Sequence, residues 1–277
     1  MPKIIIVQPG DSVEMDPVGP GMAHGYGLFE TLKLEAGRLC FWKAHWDRLE
    51  HSAEKLGIGL EHSMSDVLEA VWSLARSAKL EDAVIKLSLL KDRKGSKLYV
   101  YSRPKISVPV RARCLVSKSS PINEHSILAG HKTHNYMENM LLLEAAKTAG
   151  YDDMIRINSA GNLAETTIGN LFFLAGDTLF TPSLNSGILN GTVRSAIIEI
   201  ASSVSLKVEE AEYEPSVLTK ANGIFVTNAS CGVLPVHQVD GMGVEFMANT
   251  TSFFAIEKLR VALREFEQLH SVGIEDG

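Results

Sequence analysis

The sequence predicts an α+β protein of two domains. Three observations carry that expectation. Alternating stretches that read as hairpins are mixed with stretches of helical periodicity, rather than following the strict strand–helix alternation of a doubly wound sheet. Residues 103–130 hold Pro104, Pro109 and Pro121 with little periodicity, and divide the chain into two such mixtures. The 277 residues are 45% hydrophobic and 22% charged, enough apolar material for two modest cores. The expected organisation is a small N-terminal α/β domain over 1–117, a linker over 118–130, and a larger C-terminal domain over 131–277.

The elements follow in order. Met1 to Val7 is an apolar run too short for a signal peptide and reads as a first strand. Leu28 to Leu34 alternates, and Arg38 to Phe41 follows Gly37, which predicts a hairpin. Trp46, Leu49, Ala53 and Leu56 recur at helical steps, so Lys43 to Leu56 is expected to be a helix ended by Gly57. Ser65 to Ala78 repeats the pattern through Val67, Leu68, Val71 and Leu74. Ala83 to Leu90 and Leu98 to Ser102 read as strands around a charged turn. Beyond the linker, Tyr136 to Ala149 is an expected helix stopped by Gly150, and Met154 to Ile157 an expected strand. Ile168 to Leu174 and Thr178 to Phe180 predict a second hairpin. Val193 to Val204 reads as a helix, Leu206 to Ala211 and Gly223 to Thr227 as strands, and 245–268 as a last helix.

Composition excludes several functions. A net charge of −6 gives no electrostatic case for nucleic acid or an anionic membrane as partner. No stretch approaches a membrane span. Three cysteines at wide spacing, without a C-x-x-C, argue against a disulfide framework or a zinc site, and point to a reducing compartment, the cytoplasm.

The chemistry concentrates in two phrases. The first is Leu128-Ala-Gly-His-Lys132-Thr-His-Asn-Tyr136, the second Asn162-Leu-Ala-Glu165-Thr-Thr-Ile-Gly-Asn170. A lone lysine is ordinarily a surface residue. Lys132, however, lies where an irregular segment meets a helix, a rigid setting in which partial burial lowers an amine pKa and favours Schiff-base chemistry. His131 and His134 lack a third ligand for a metal site. Glu165 is either a strand-end carboxylate or the anion that keeps a pyridine nitrogen protonated, so that the ring acts as an electron sink. Together the two residues point to pyridoxal 5'-phosphate. Asn190-Gly191-Thr192-Val193-Arg194 leads into a helix, so the backbone N–H groups of Gly191, Thr192 and Val193 would face an anion such as the cofactor's phosphate, or Asn190 is an ordinary cap. Arg48 either adds a guanidinium to that phosphate or pairs with Asp47 or Glu50 on the surface. Gly25-Tyr-Gly27 is no dinucleotide loop, because a strand follows it and the third glycine is missing.

Several phrases fall in one order: His24-Gly-Tyr-Gly-Leu-Phe-Glu-Thr31, His45-Trp-Asp-Arg48-Leu, Lys132 with Asn135-Tyr136, Asn162-Leu-Ala-Glu165 with Gly169-Asn170-Leu-Phe172, Thr181-Pro182, and Gly187-Ile-Leu-Asn-Gly191-Thr-Val-Arg194. From about residue 20 to 240 the chain thereby resembles the class IV aminotransferases, the fold type IV pyridoxal phosphate enzymes typified by D-amino acid aminotransferase. The resemblance implies a homodimer acting on a small amino substrate, with the cofactor between a small and a larger domain. It implies Lys132 as Schiff-base lysine, Glu165 as partner of the ring nitrogen, Arg48, Gly191, Thr192 and Val193 at the phosphate, and Tyr136, Asn228 and Ala229 as further cofactor contacts. Phe29 falls on the substrate side. Lys91, Arg93 and Lys97 are the candidates for reading a substrate carboxylate.

Within the family, Thr227-Asn228-Ala229-Ser-Cys-Gly232 with Pro235-Val236, and Thr31 after Phe29-Glu30, resemble the 4-amino-4-deoxychorismate lyases. The expected reaction releases pyruvate and 4-aminobenzoate, a step toward folate, with Thr31 assisting protonation of pyruvate. The alternative is transamination of branched-chain or D-amino acids, which uses the same cofactor contacts.

Overall fold

A computed structural model describes residues 4–105, 107–117, 119–247 and 250–273. Met1–Lys3 of the expected first strand and residues 248–249 of the expected last helix lie outside them. In chain order the elements begin with β1 (Ile4–Val7), α1 (Pro20–His24), β2 (Gly27–Glu35), β3 (Arg38–Cys40), α2 (Trp42–Lys55), α3 (Met64–Ala78), β4 (Ala83–Asp92), β5 (Gly95–Arg103) and β6 (Ala112–Val116). There follow α4 (Met137–Thr148), β7 (Asp153–Ile157), β8 (Leu163–Thr166), β9 (Asn170–Ala175), β10 (Thr178–Pro182), α5 (Thr192–Ile200), β11 (Lys207–Ala211), β12 (Gly223–Asn228), β13 (Gly232–Asp240), β14 (Val244–Glu245), α6 (Thr251–Leu269) and β15 (Ser271–Gly273).

The chain forms two compact units. The first comprises 1–106, 131–136 and 267–277. Its sheet has the order β1-β5-β4-β2-β3-β15. The β2–β3 hairpin turns at Gly37, whose φ of +70° suits glycine. Leu32, Leu34, Ile85, Leu87, Leu98 and Val100 alternate onto one buried core with Trp42, Trp46 and Leu49 of α2 and Val67, Val71 and Leu74 of α3. A reciprocal cap starts α3: Ser63 Oγ accepts the Asp66 N–H, and the Asp66 carboxylate accepts the Ser63 N–H. The C-terminal β15 adds to the hairpin, Val272 opposite Leu39, and Lys33 pairs with Glu267 at 2.7 Å.

The second unit comprises 107–130 and 137–266. Its sheet, among the described residues, runs β11-β10-β9-β12-β13-β6-β7-β8, with β14 beside β13. Ile155, Leu171, Phe173, Ile224, Val226 and Val236 form its core. Two strands here lack a sequence signature. β6 lies in the proline-bearing stretch that shows no periodicity, yet it pairs in parallel with both β7 and β13. Pro235, a residue that normally argues against an inner strand, lies within β13 opposite Phe225. The helix expected over 193–204 is α-helical to Ile200 and closes as a 3-10 turn over Ala201–Val204.

No helix among the described residues is long and apolar enough to cross a membrane.

Candidate active site

In the first unit, the geometry around Lys132 begins with an open strand edge. Within the hairpin, among the described residues, β3 reaches Leu34 and Glu35 of β2, which leaves that side of the start of β2 open. The segment 131–136 takes the place. The Phe29 N–H donates to the Lys132 carbonyl at 2.9 Å, the His134 N–H donates to the Gly27 carbonyl at 2.9 Å, and Leu28 bridges Thr133. Gly27 is required at this junction: a Cβ there would stand 2.6 Å from the Leu89 carbonyl oxygen and 3.0 Å from the His134 ring. Next door, Asn135 Nδ2 donates to the Gly25 carbonyl.

Lys132 is half-buried, and its amine lies 4.5 Å from the Phe29 ring centre and 5.4 Å from that of Tyr136. The two rings meet edge to face at 5.2 Å. A second amine shares the Phe29 ring. Lys86 Nζ lies 4.1 Å from its centre and donates to Thr31 Oγ1 at 2.6 Å, the two residues being directly opposite across β2 and β4. Burial, then the charges of Lys132 and Arg103, push the Lys86 pKa down to about 7, against a smaller raising effect of Glu30.

Strand alternation sends Glu30 to the opposite face from Phe29 and Thr31, toward α2. Its carboxylate is fully buried, receives Arg48 Nε at 2.8 Å and Nη2 at 2.7 Å, and lies 2.7 Å from His45 Nδ1. Burial alone would raise this carboxyl's pKa. The charges and hydrogen bonds of Arg48 and His45 outweigh it and hold the group far below the usual carboxylate range. One turn further along α2, Ser52 Oγ lies 2.9 Å from His131 Nδ1, beside the lysine.

In the second unit, β8 carries Glu165 opposite Asn170 of β9. Glu165 Oε2 accepts from Asn170 Nδ2 at 3.2 Å and from the Leu189 N–H at 3.1 Å. Asn170 Nδ2 also donates to the Leu189 carbonyl at 2.8 Å, so one amide ties the carboxylate to the approach of α5. Gly191 caps α5, and a Cβ on it would overlap Asn170 Oδ1. Thr192 and Val193 begin the helix and are buried. Asn228 ends β12, and its Oδ1 accepts the N–H groups of Ser230 and Cys231, turning the chain just past Ala229. Thr227 pairs with Asn170, which puts this turn beside the same amide. A carboxylate, a helix N-terminus and a tight turn thus converge on Asn170.

The three expected carboxylate readers lie at the β4–β5 turn. Lys91 stacks on Tyr26 at 4.4 Å, Arg93 pairs with Asp16 at 2.5 Å, and Lys97 pairs with Asp92 at 2.6 Å. Their contacts among the described residues join them to neither Lys132 nor Thr31. Sequence reasoning passed over Lys86, and quoted Glu30, His45 and Asn170 only within longer phrases, without a role of their own. A detectable signal existed for two of them, since Lys86 and Glu30 are the charged residues inside otherwise apolar strand stretches, Ala83–Leu90 and Gly27–Leu32.

Residues 27–239 match the model of the family described as amino-transferase class IV, and the chain belongs to that family. It is 27% identical over 247 residues to an aminodeoxychorismate lyase of Bacillus subtilis, covering 82% of each protein. It is 27% identical over 230 residues to an aminodeoxychorismate lyase of Vibrio harveyi, covering 77% of this chain and 83% of that one. A Legionella pneumophila structure described as a 4-amino-4-deoxychorismate lyase superposes with a TM-score of 0.87 at 25% identity, covering 96% and 99% of the two chains. Branched-chain aminotransferases share the fold: that of Escherichia coli gives a TM-score of 0.83 at 21% identity over 92% and 89%. The fold is the α+β fold of the class IV pyridoxal phosphate enzymes, as expected, and the chain is an enzyme of that class.

Enzymes of this class use pyridoxal 5'-phosphate. The residues present suit it. Lys132 offers an amine over an aromatic surface, Glu165 a carboxylate oriented by two N–H donors, and Gly191 a helix start that is closed to any side chain.

Proposed function

We propose that this chain is a 4-amino-4-deoxychorismate lyase, releasing pyruvate and 4-aminobenzoate. The observation that carries the reading is Thr31: its hydroxyl, bonded to Lys86, lies on the same strand face as Phe29, the ring on which Lys132 rests. A lyase needs an acid for its departing group, and a hydroxyl held by a cation is suited to that work. The similarity to the lyase of Bacillus subtilis supports the same choice.

When bound, pyridoxal phosphate supplies an electron sink. Lys132 Nζ takes the proton from the substrate's ring carbon beside the amino nitrogen. Glu165 would partner the ring nitrogen, its orientation fixed by Asn170 and Leu189. Arg48, steered by Glu30, and the backbone of Gly191, Thr192 and Val193 bind phosphate. Tyr136, Asn228 and Ala229 complete the cofactor contacts, and Phe29 borders the substrate. Lys91, Arg93 and Lys97 stay candidates for the substrate's carboxylates. A homodimer, a cytoplasmic location and a place in folate synthesis belong to the same proposal.

The test is an assay with two arms. Aminodeoxychorismate is expected to yield pyruvate and 4-aminobenzoate in equal amounts. Leucine or D-alanine with 2-oxoglutarate is expected to yield little glutamate. Turnover in the second arm alone sinks the lyase reading in favour of transamination.

A further inference from the structure

The Lys86–Thr31 pair is more than a structural hydrogen bond. Both residues are half-buried, and both lie next to the ring that carries Lys132. The direction of the bond matters. Lys86 Nζ donates and Thr31 Oγ1 accepts, at 2.6 Å. The threonine's own proton therefore points away from Lys86 and is available to a third group. An oxygen that accepts from a cation also releases its proton more readily.

We propose that Lys86 is the proton reserve behind Thr31. This rests on the lyase reading above. As the ring C–H bond breaks, its proton goes to Lys132 Nζ and its electron pair forms the aromatic ring. The C–O bond to the enolpyruvyl group breaks, and its oxygen becomes the ketone of pyruvate. The methylene carbon of that group takes the Thr31 hydroxyl proton. Thr31 Oγ1 takes a proton from the Lys86 ammonium in the same motion, so no alkoxide accumulates. Lys86 then regains a proton from water, and Lys132 loses the one it gained. One proton leaves the ring and one enters the methyl group, so the reaction is balanced without a co-reactant.

The groups around Lys86 set when it can donate. Lys132 and His134 face it from the segment 131–136, Arg103 from β5, and Glu30 and Thr31 from β2. The burial and the two cations bring its pKa to about 7, a value suited to proton exchange near neutrality. Donation requires the ammonium, so pyruvate release falls as pH rises through that value.

The experiment uses the cofactor-loaded enzyme and variants Lys86→Met, Lys86→Ala, Lys86→Arg and Thr31→Ser, with pyruvate release followed from pH 6 to 10. Lys86→Met is expected to lower kcat by about 100-fold or more, the usual size of a lost acid catalyst. Its alkaline limb disappears, while KM and the cofactor's absorption band change little. Lys86→Arg moves the limb to higher pH, and Thr31→Ser keeps it. Added methylammonium or ethylammonium restores part of the Lys86→Ala rate, with a dependence on amine pKa that a packing role would not produce. If Lys86→Met keeps the wild-type limb or a kcat within a few-fold of wild type, the inference is overturned. A rise in KM alone also overturns it, in favour of substrate binding. A wild-type enzyme that transaminates and releases no pyruvate overturns the lyase reading itself, a result distinct from either of these.

Discussion

Glu30 and Arg48 meet at two points, Arg48 Nε on Oε1 at 2.8 Å and Nη2 on Oε2 at 2.7 Å, with Glu30 buried and Arg48 partly open to solvent. The carboxylate fixes the plane of the guanidinium, which would preorganise it for the phosphate role proposed for Arg48.

Glu30→Gln keeps the shape and removes the charge. Breaking one side of a buried pair is expected to cost about 2–4 kcal/mol, discounted for the exposure of Arg48. Thermal unfolding reads that loss, and titration with pyridoxal phosphate is expected to show weaker binding. The pH dependence has a definite sign. The folded carboxyl titrates below the ordinary glutamate value of 4.5. Its stabilisation is complete above the unfolded value and is lost as pH falls through the folded one. The difference in melting temperature between wild type and Glu30→Gln should therefore be full at pH 7 and shrink below about pH 4.5.

Gly191→Ala drives a methyl group into Asn170 Oδ1. The amide must move, and with it one of the donors to Glu165 and the approach to α5. The expected result is cofactor affinity weakened by about 5- to 30-fold, from roughly 1–2 kcal/mol of displaced hydrogen bonding. Equilibrium dialysis of the cofactor measures it. Unchanged affinity would show that Asn170 yields at no cost.

Lys132→Ala removes the amine and leaves its backbone bonds to β2 intact. The fold should survive with a near-wild-type circular dichroism spectrum. The visible band of the loaded enzyme should vanish, and pyruvate release should fall by about a thousandfold or more.

The three thiols should react at very different rates. Cys40 is buried with its pKa pushed up to about 11, first by burial and then by Glu267 and Glu35 against the opposing pull of Lys33. Cys114 is fully buried, and burial, then the charges of Asp153 and Asp152, push its thiol well above the usual range. Cys231 is half-buried. At pH 8 a thiol reagent should label Cys231 first, and all three only after denaturation. Rapid labelling of Cys40 in native protein would contradict this ranking.

Much of this was legible in the chain. The β2–β3 hairpin, α2, α3 and α5 follow from periods of two and of 3.6 residues punctuated by glycine. Lys132 and Glu165 stood out through their phrases. What stayed hidden depends on pairing across long stretches of sequence. β6 has no periodic signal because it is an inner strand flanked by parallel neighbours. Lys86 gains its role from lying opposite Thr31, and Asn170 from reaching both Glu165 and Leu189. The assignment of 131–136 and 267–277 to the first unit follows from long-range contacts that local composition does not record.

Two of the bonds joining 131–136 to the start of β2, from Phe29 to Lys132 and from His134 to Gly27, run main chain to main chain. Changing a neighbouring side chain does not delete them. The backbone of Lys132 is therefore held independently of the side chains at positions 29, 31 and 86. Substitutions at those three places can change the surroundings of the amine while the Lys132 backbone stays in register with β2. A scaffold wired in this way lets the residues lining that lysine be exchanged without rebuilding the strand edge that carries it.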